Sequence, residues 1–207
     1  PDYFVFPNGK NLKLDDIDEN LDRLNQGDLL ILSSRNRYLY TIPYMNGRGD
    51  RWVDHSDEKS QFGYGLENWM NELDVIIEKS KDRHLNIIFF LHNVEFDQQV
   101  LNYDKGCKVQ WFRRKPKGCD VSVSRKFLDS RFPREFFVQI YEKEAESSNF
   151  FVFDPLPIFC EKSENCSRIV NGVVAFKDTN HLTQEGSLLM LDEFSLFLSD
   201  NKLLTYN

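Results

Sequence analysis

The 207-residue sequence contains no apolar stretch near the roughly 20 residues that a membrane-spanning helix needs. No secretory signal peptide is visible either. Basic residues are outnumbered, with 26 Lys and Arg against 33 Asp and Glu, and the net charge is −7. This balance argues against nucleic acid as the main partner, because phosphate binding requires a basic surface.

Cysteine is scarce, and the four cysteines fall into two local pairs, Cys107 with Cys119 and Cys160 with Cys166. The tight Cys-x-x-Cys spacing of many zinc sites is missing and no His lies at ligand spacing nearby, which argues against zinc. Two short hairpin-like disulfide bonds are the favoured interpretation, and four free thiols in a reducing cytosol are the alternative. Disulfide bonds would indicate an oxidising compartment.

The residues that are abundant indicate a soluble globular protein, with 41% hydrophobic and 29% charged residues. The 18 Phe are expected to fill a core. We find no repeat, low-complexity tract or linker, so we predict one domain over residues 1–207. Because the chain begins at Pro1 rather than Met, we expect it to be a piece of a longer protein.

Strand-like and helix-like segments alternate along the chain, which predicts an α/β fold with a mostly parallel sheet. Apolar runs predict strands, and apolar residues three or four positions apart predict helices. The predicted strands are residues 3–6, 28–32, 85–91 and 150–153, and the predicted helices are residues 14–24, 66–77, 132–141 and 188–194. Between them we predict an irregular stretch over residues 92–127. Four strands are few for such a sheet, so we expect that a first strand–helix unit is missing.

An Asp and a His three residues apart, Asp178 and His181, precede the last predicted helix. A neutral imidazole held by a carboxylate through Nδ1 can act as a general base through Nε2. The alternative is a surface His at a helix start, with Thr183 as the N-cap. Ligands of open parallel sheets bind at the loops after the strands. We therefore expect this segment to meet the loops that follow residues 28–32 and 85–91.

The loops after the predicted strands supply further candidates. Asn36 could donate its side-chain amide to an oxyanion hole. Arg35 and Arg37 could contact an anionic substrate, whereas a solvated loop is the alternative. His92 is expected to be structural or exposed. The basic and aromatic segment 105–117 could contact a sugar face or a polyanion, and a solvated, disulfide-pinned surface loop is the other interpretation.

Several of these residues together resemble one family, the C-terminal SGNH domain of OafA-like acyltransferases. The residues that carry the resemblance are Phe153-Asp154-Pro155-Leu156-Pro157-Ile158-Phe159-Cys160, Cys166, Asp178-Thr179-Asn180-His181-Leu182-Thr183 and Gly186. In that family an N-terminal membrane acyltransferase unit is joined to an extracytoplasmic SGNH domain, and the two together O-acylate cell-surface carbohydrate. The resemblance extends over residues 1–200.

The resemblance implies a flavodoxin-like three-layer α/β/α sandwich of the SGNH hydrolase type, with a Ser–His–Asp triad. By this match His181 is the base and Asp178 is its orienting carboxylate. Asn36 lies near the position of the oxyanion Asn but lacks the usual Gly-x-Asn context. No metal or nucleotide cofactor is implied. The family's nucleophile lies in a Gly-Asp-Ser block that this sequence does not contain, and we expect that serine upstream of Pro1.

The function implied by the resemblance is O-acyl transfer, of an acetyl-type group, to a carbohydrate acceptor. The acyl donor would be delivered by the membrane unit of the same protein, and the domain would be periplasmic or otherwise extracytoplasmic. A catalytically inactive SGNH-like domain that binds glycan or scaffolds its membrane partner is one alternative. A secreted carbohydrate esterase is another.

Overall fold

A computed structural model describes residues 3–5, 21–33, 59–91, 93–96, 119–130, 134–160 and 164–203. Helices and strands are mixed along these residues. The strands are β1 (Tyr3–Val5), β2 (Leu29–Ser33), β3 (Asn86–Phe90), β4 (Ser122–Ser124), β5 (Phe150–Phe153), β6 (Asn165–Ser167), β7 (Ile169–Val170) and β8 (Val173–Val174). The helices are α1 (Lys59–Asp82), α2 (Arg125–Ser130), α3 (Arg134–Glu146), α4 (Leu156–Phe159), α5 (Gln184–Leu189) and α6 (Leu191–Asp200).

The chain forms two compact units. The first comprises Pro1–Leu91 and Arg134–Val152, and the second comprises His92–Pro133 and Phe153–Asn207. Each unit has its own buried apolar side chains. That residues 1–207 act as one domain stays a prediction.

A four-stranded sheet with the order β1–β2–β3–β5 organises the first unit. β1 pairs with β2 in parallel, and β2 pairs with β3 in parallel in a register that places Leu30 opposite Ile87. Leu30, Ile87 and Ile88 are fully buried, which is typical of the continuous apolar runs of parallel strands. The α/β class predicted from the sequence is confirmed.

Aromatic rings from helices and strands pack together in the first unit. The ring centroid of Trp69 in α1 lies 5.7 Å from that of Phe89 in β3 and 5.7 Å from that of Phe136 in α3. Phe150 of β5 stacks on Phe89 with a centroid separation of 6.1 Å. Each such pair contributes about 0.5–1.5 kcal/mol beyond the area that it buries. These Phe residues fill the core, as the composition predicts.

A buried amide joins the C-terminal part of α1 to the segment that enters β3. Asn149 Nδ2 donates to the carbonyl of Ile77 at 3.3 Å and to that of Leu85 at 3.2 Å. The backbone carbonyl of Asn149 also accepts from Ile87 N at 2.7 Å. Because a buried polar group without partners is costly, these bonds are needed where Asn149 lies.

Two small antiparallel sheets, β4–β6 and β7–β8, lie in the second unit. Its core is a cluster of buried side chains: Val94, Phe96, Val121, Val123, Leu128, Leu156, Phe159, Cys166, Ala175 and Phe176. Within it, the ring of Phe176 meets Phe96 at 5.4 Å and Phe159 at 5.0 Å, measured between centroids. Phe176 stands two residues before Asp178, so this core anchors the start of the Asp178–His181 segment.

The structure differs from the sequence-based expectation in three places. Part of the stretch predicted to be irregular, residues 92–127, forms β4 and the beginning of α2. The short strands β4, β6, β7 and β8 raise the number of strands above the four predicted. The last predicted helix is interrupted at Met190, which ends α5 and precedes α6. Strands of two or three residues are too short to show a periodic pattern. Most of the predicted helix 14–24 lies outside the described residues.

Candidate functional site

Asp178 and His181 form a close side-chain pair in the second unit. Nδ1 of His181 lies 2.9 Å from Oδ1 and 2.9 Å from Oδ2 of Asp178. The imidazole side chain is 67% exposed and the carboxylate side chain 33% exposed. The ring therefore meets the carboxylate through Nδ1, and Nε2 is the nitrogen that can face a reaction partner. This is the geometry that the sequence predicts, while the catalytic role stays a prediction.

The carboxylate of Asp178 also organises the backbone of its own loop. Its Oδ1 accepts from the backbone N–H of Asn180 at 3.1 Å and from that of His181 at 3.0 Å. Side chains of Asp commonly bond to backbone N–H groups two or three residues later, which favours a turn. The same oxygen thus fixes both the backbone and the ring of His181.

These bonds also change the acidity of Asp178. Burial raises the pKa of Asp178, but the hydrogen bonds from the backbone of His181 and Asn180 and from the ring of His181 lower it by more. The pKa of Asp178 therefore lies below its ordinary value. The carboxylate is ionised at neutral pH, as an orienting partner of an imidazole has to be.

The ends of the loop are joined by backbone bonds. Lys177 N donates to the carbonyl of His181 at 2.7 Å, and Phe176 and Leu182 form an isolated antiparallel bridge. Thr179 and Asn180 stand at the far side of this closed loop. A short loop closed in this way leaves the backbone of Asp178 and His181 little freedom.

Thr183 starts the helix that follows the loop. Its Oγ1 accepts from Gly186 N at 2.9 Å, which makes Thr183 the N-cap of α5. The same hydroxyl donates to the carbonyl of Val174 at 2.6 Å, and Thr183 N donates to the carbonyl of Ala175 at 2.9 Å. The N-cap assignment made from the sequence is confirmed. It accompanies the Asp178–His181 pair rather than replacing it.

A segment that follows β3 in the chain lies against the same loop. Asn93 Nδ2 donates to the carbonyl of Asn180 at 3.4 Å, and Phe96 N donates to the carbonyl of Thr179 at 2.9 Å. The Oδ1 atom of Asn93 accepts from Val94 N at 2.8 Å, which holds the amide in place. The sequence predicts that the loop after residues 85–91 meets the Asp178–His181 segment, and these bonds show that it does.

The remaining predicted site residues have different outcomes. Cys160 and Cys166 form a disulfide bond, as their spacing predicts. Cys119 is disulfide-bonded too, whereas Cys107 lies outside the described residues. The predicted oxyanion donor Asn36 also lies outside them, together with Arg35, Arg37, His92 and the segment 105–117.

Sequence analysis did not single out Arg168, which lies between β6 and β7. Its side chain is fully buried, and it donates to carbonyl oxygens at the start of the Asp178–His181 loop. The one sequence signal is a cation placed directly before the apolar pair Ile169-Val170. Such a residue is more often solvated than buried, so the pattern alone does not indicate its position.

A family model described as "SGNH domain (fused to AT3 domains)" matches residues 7–195 of the chain. The chain belongs to this family. The match includes the Asp178–His181 pair, Asn93 and Arg168, and it supports a hydrolase or acyltransferase type of enzyme. No curated protein and no solved structure matches the chain.

The SGNH domains of this family are described as fused to AT3 domains, which supports a membrane acyltransferase unit in the parent protein. Among the helices in the described part of this chain, none is long and apolar enough to cross a membrane.

Proposed function

We propose that the chain is the SGNH part of an O-acyltransferase that moves an acetyl-type group to a hydroxyl of a cell-surface carbohydrate. The observation that carries the proposal is the contact of His181 Nδ1 with both carboxylate oxygens of Asp178 at 2.9 Å. Membership in a family fused to AT3 domains supports acyl transfer as the reaction class.

In the first half-reaction the imidazole acts through Nε2. Because Asp178 accepts the proton of Nδ1, the neutral ring keeps a lone pair on Nε2. Nε2 takes the proton of a serine hydroxyl as the serine oxygen attacks the acyl carbon of the donor. The tetrahedral intermediate then expels the donor's leaving group, which takes that proton from the imidazolium, and an acyl-serine remains.

In the second half-reaction the acceptor takes the place of the donor. Nε2 of His181 removes a proton from a carbohydrate hydroxyl as that oxygen attacks the acyl-serine. The bond to the serine oxygen breaks, and the serine recovers the proton. Each tetrahedral intermediate carries a negative oxygen that needs hydrogen-bond donors. We assign this task to backbone amides and to Asn36.

We propose that the nucleophilic serine comes from elsewhere in the parent protein, since these 207 residues contain no Gly-Asp-Ser block. In our proposal a segment outside them supplies it, and the membrane acyltransferase unit of the same protein delivers the acyl donor. The Cys160–Cys166 disulfide supports an extracytoplasmic location, since disulfide bonds persist in oxidising compartments.

The test is an activity comparison in the full-length parent protein. Hydrolysis of a generic acetyl ester and O-acetylation of cell-surface carbohydrate are measured for the wild type and for His181→Ala. Loss of the general base should lower kcat by about 100-fold or more. The matched control is His84→Asn in the first unit, where the backbone φ is 57° and Asn is tolerated.

Each outcome separates the candidate functions. Turnover that survives in a folded His181→Ala variant means that His181 is not the base. A wild-type protein that binds glycan without turning over any ester favours the inactive, glycan-binding alternative. Ester hydrolysis without transfer to carbohydrate favours the esterase.

A further inference from the structure

Among the residues that the structure describes, Arg168 is the largest fully buried side chain, with a relative exposure of 0%. Its backbone is fixed on two sides, because its N–H donates to the carbonyl of Val121 at 3.0 Å and its own carbonyl accepts from Ala175 N at 2.9 Å. The side chain therefore starts from a well-defined point within the second unit. Burying a cation is costly unless good hydrogen-bond partners compensate for the lost hydration.

Three partners of the guanidinium are backbone carbonyls. Nε donates to the carbonyl of Phe176 at 2.9 Å, and Nη2 donates to the carbonyl of Lys177 at 2.8 Å. Nη1 reaches the carbonyl of Cys119 at 3.5 Å. The planar fork of Arg can hold two successive carbonyls at once, whereas the single ammonium of Lys lacks this geometry. Bonds from a charged donor are also roughly twice as strong as neutral ones.

The two carbonyls held by Arg168 directly precede Asp178. Three carbonyls later in the loop are bound as well: that of Thr179 by Phe96 N, that of Asn180 by Asn93 Nδ2, and that of His181 by Lys177 N. Arg168 is a buried side chain that by itself holds two carbonyls of this segment. The position of the Asp178 carboxylate therefore depends on the guanidinium of Arg168, which holds the backbone directly before it.

We propose that Arg168 is a positioning residue, which fixes the carbonyls of Phe176 and Lys177 and thereby holds the Asp178 carboxylate against Nδ1 of His181. Without the guanidinium of Arg168, the backbone before Asp178 can rotate, and the carboxylate then moves away from Nδ1 of His181. Misplacement of a reacting group by about 1 Å can cost about 100-fold in rate. Only this effect on turnover rests on the function proposed above, because the Asp178–His181 geometry can be measured without any reaction.

The decisive measurement is the tautomer of neutral His181, read from the ring nitrogen shifts of the ¹⁵N-histidine-labelled chain. In the wild type the proton should lie on Nδ1, facing Asp178. In Arg168→Met the Nδ1-protonated fraction should fall toward that of an unpaired histidine. The matched control is Arg125→Met, because Arg125 is an arginine of the same unit that pairs with Asp154 at 2.7 Å. This control should keep the wild-type tautomer.

Arg168→Lys keeps the proposal testable if Arg168→Met does not fold. Lys retains the charge and can reach one carbonyl, so the tautomer fraction should lie between those of the wild type and of an unpaired histidine. In the full-length protein, kcat should fall by about 100-fold in Arg168→Met with little change in KM, and Arg168→Lys should restore part of it.

A folded Arg168→Lys or Arg168→Met protein with the wild-type tautomer would overturn the positioning role, whatever its activity. A shifted tautomer in a protein whose wild type has no esterase or transferase activity would support the positioning role and refute the proposed function. The two ideas can therefore fail separately.

Discussion

The Cα atom of Gly186 lies so close to the backbone of Ala175 that a Cβ on residue 186 would stand 2.0 Å from the Ala175 carbonyl oxygen. The same oxygen accepts from Thr183 N at 2.9 Å. The first turn of α5 therefore docks directly on the backbone that leads into the Asp178–His181 loop. Gly186 belongs to the run that resembles the SGNH family. Its presence has a steric explanation, because only a residue without a Cβ fits next to Ala175.

Gly186→Ala should therefore destabilise the protein although Ala favours helices. The added methyl group must push α5 away from Ala175, and overpacking of this kind costs about 1–3 kcal/mol. Urea denaturation followed by circular dichroism measures the change in the free energy of unfolding. The control is Gln184→Ala, an exposed position of the same helix, which should differ little from the wild type. Equal stability of Gly186→Ala and the wild type would mean that the close approach is absent in solution.

The pKa of Asp178 predicts a defined dependence of stability on pH. Because the folded pKa lies below the ordinary value, the ionised carboxylate stabilises the fold above the unfolded pKa. That stabilisation is lost as the pH falls through the folded pKa. Asp178→Asn should thus reduce the loss of unfolding free energy between neutral pH and about pH 3. Denaturant titrations at the two pH values provide the measurement.

Asp129 provides a control with the opposite sign. Burial raises the pKa of Asp129, and Asp154 raises it further, although Arg125 lowers it, so the folded value lies above the ordinary one. Ionisation of Asp129 therefore costs stability as the pH rises. Asp129→Asn should enlarge the difference in stability between neutral pH and pH 3, whereas Asp178→Asn should reduce it. If both substitutions changed the stability difference between the two pH values in the same direction, the opposite pKa shifts of Asp129 and Asp178 would be contradicted.

Removal of the Cys160–Cys166 disulfide should lower stability by about 2 kcal/mol, because it closes a short loop. The double variant Cys160→Ala, Cys166→Ala avoids placing a hydroxyl at the fully buried Cys166. Thermal unfolding with and without reductant compares the variant with the wild type. Reductant acts on Cys119 in both proteins, so the difference between them isolates this bond. If non-reducing peptide mapping of the wild type found Cys160 and Cys166 as free thiols, the predicted contribution of this disulfide bond would be refuted.

The buried amide of Asn149 should matter more than any exposed Asn of the first unit. Asn149→Ala removes the donor shared by the carbonyls of Ile77 and Leu85 and leaves a small cavity, which should cost about 1–3 kcal/mol. The midpoint of urea denaturation should fall with an unchanged m-value. Asn71→Ala, at an exposed position of α1, is the control. An equal shift in both variants would show that the amide has no special role.

The sequence predicts the parts of this fold that repeat a local pattern. The apolar runs predicted as strands contain most of β2, β3 and β5, which are five, five and four residues long, and the helical spacing from Leu66 to Ile77 lies inside α1. The strand β4 reads Ser-Val-Ser, and only its pairing with β6, more than 40 residues later, makes it a strand. No local window contains that information.

In the candidate site, too, some features follow from local sequence and others depend on residues far apart in the chain. The spacing of Asp178 and His181 is local, so their contact could be predicted together with the Thr183 cap. Arg168 and Asn93 reach the loop from other parts of the chain, and their roles depend on long-range packing. A charged side chain is ordinarily expected at the surface, and the burial of Arg168 becomes evident only when its carbonyl partners are in place.

The bonds from Arg168 to the carbonyls of Phe176 and Lys177 limit how far the loop that carries Asp178 and His181 can move on its own. A loop whose carbonyls are held by a buried cation cannot open alone, because opening would strand that charge inside an apolar core. Hydrogen exchange of the loop amides should then follow global rather than local unfolding. We accordingly expect sequence variation among members of the family in other segments, while the loop that carries Asp178 and His181 stays fixed.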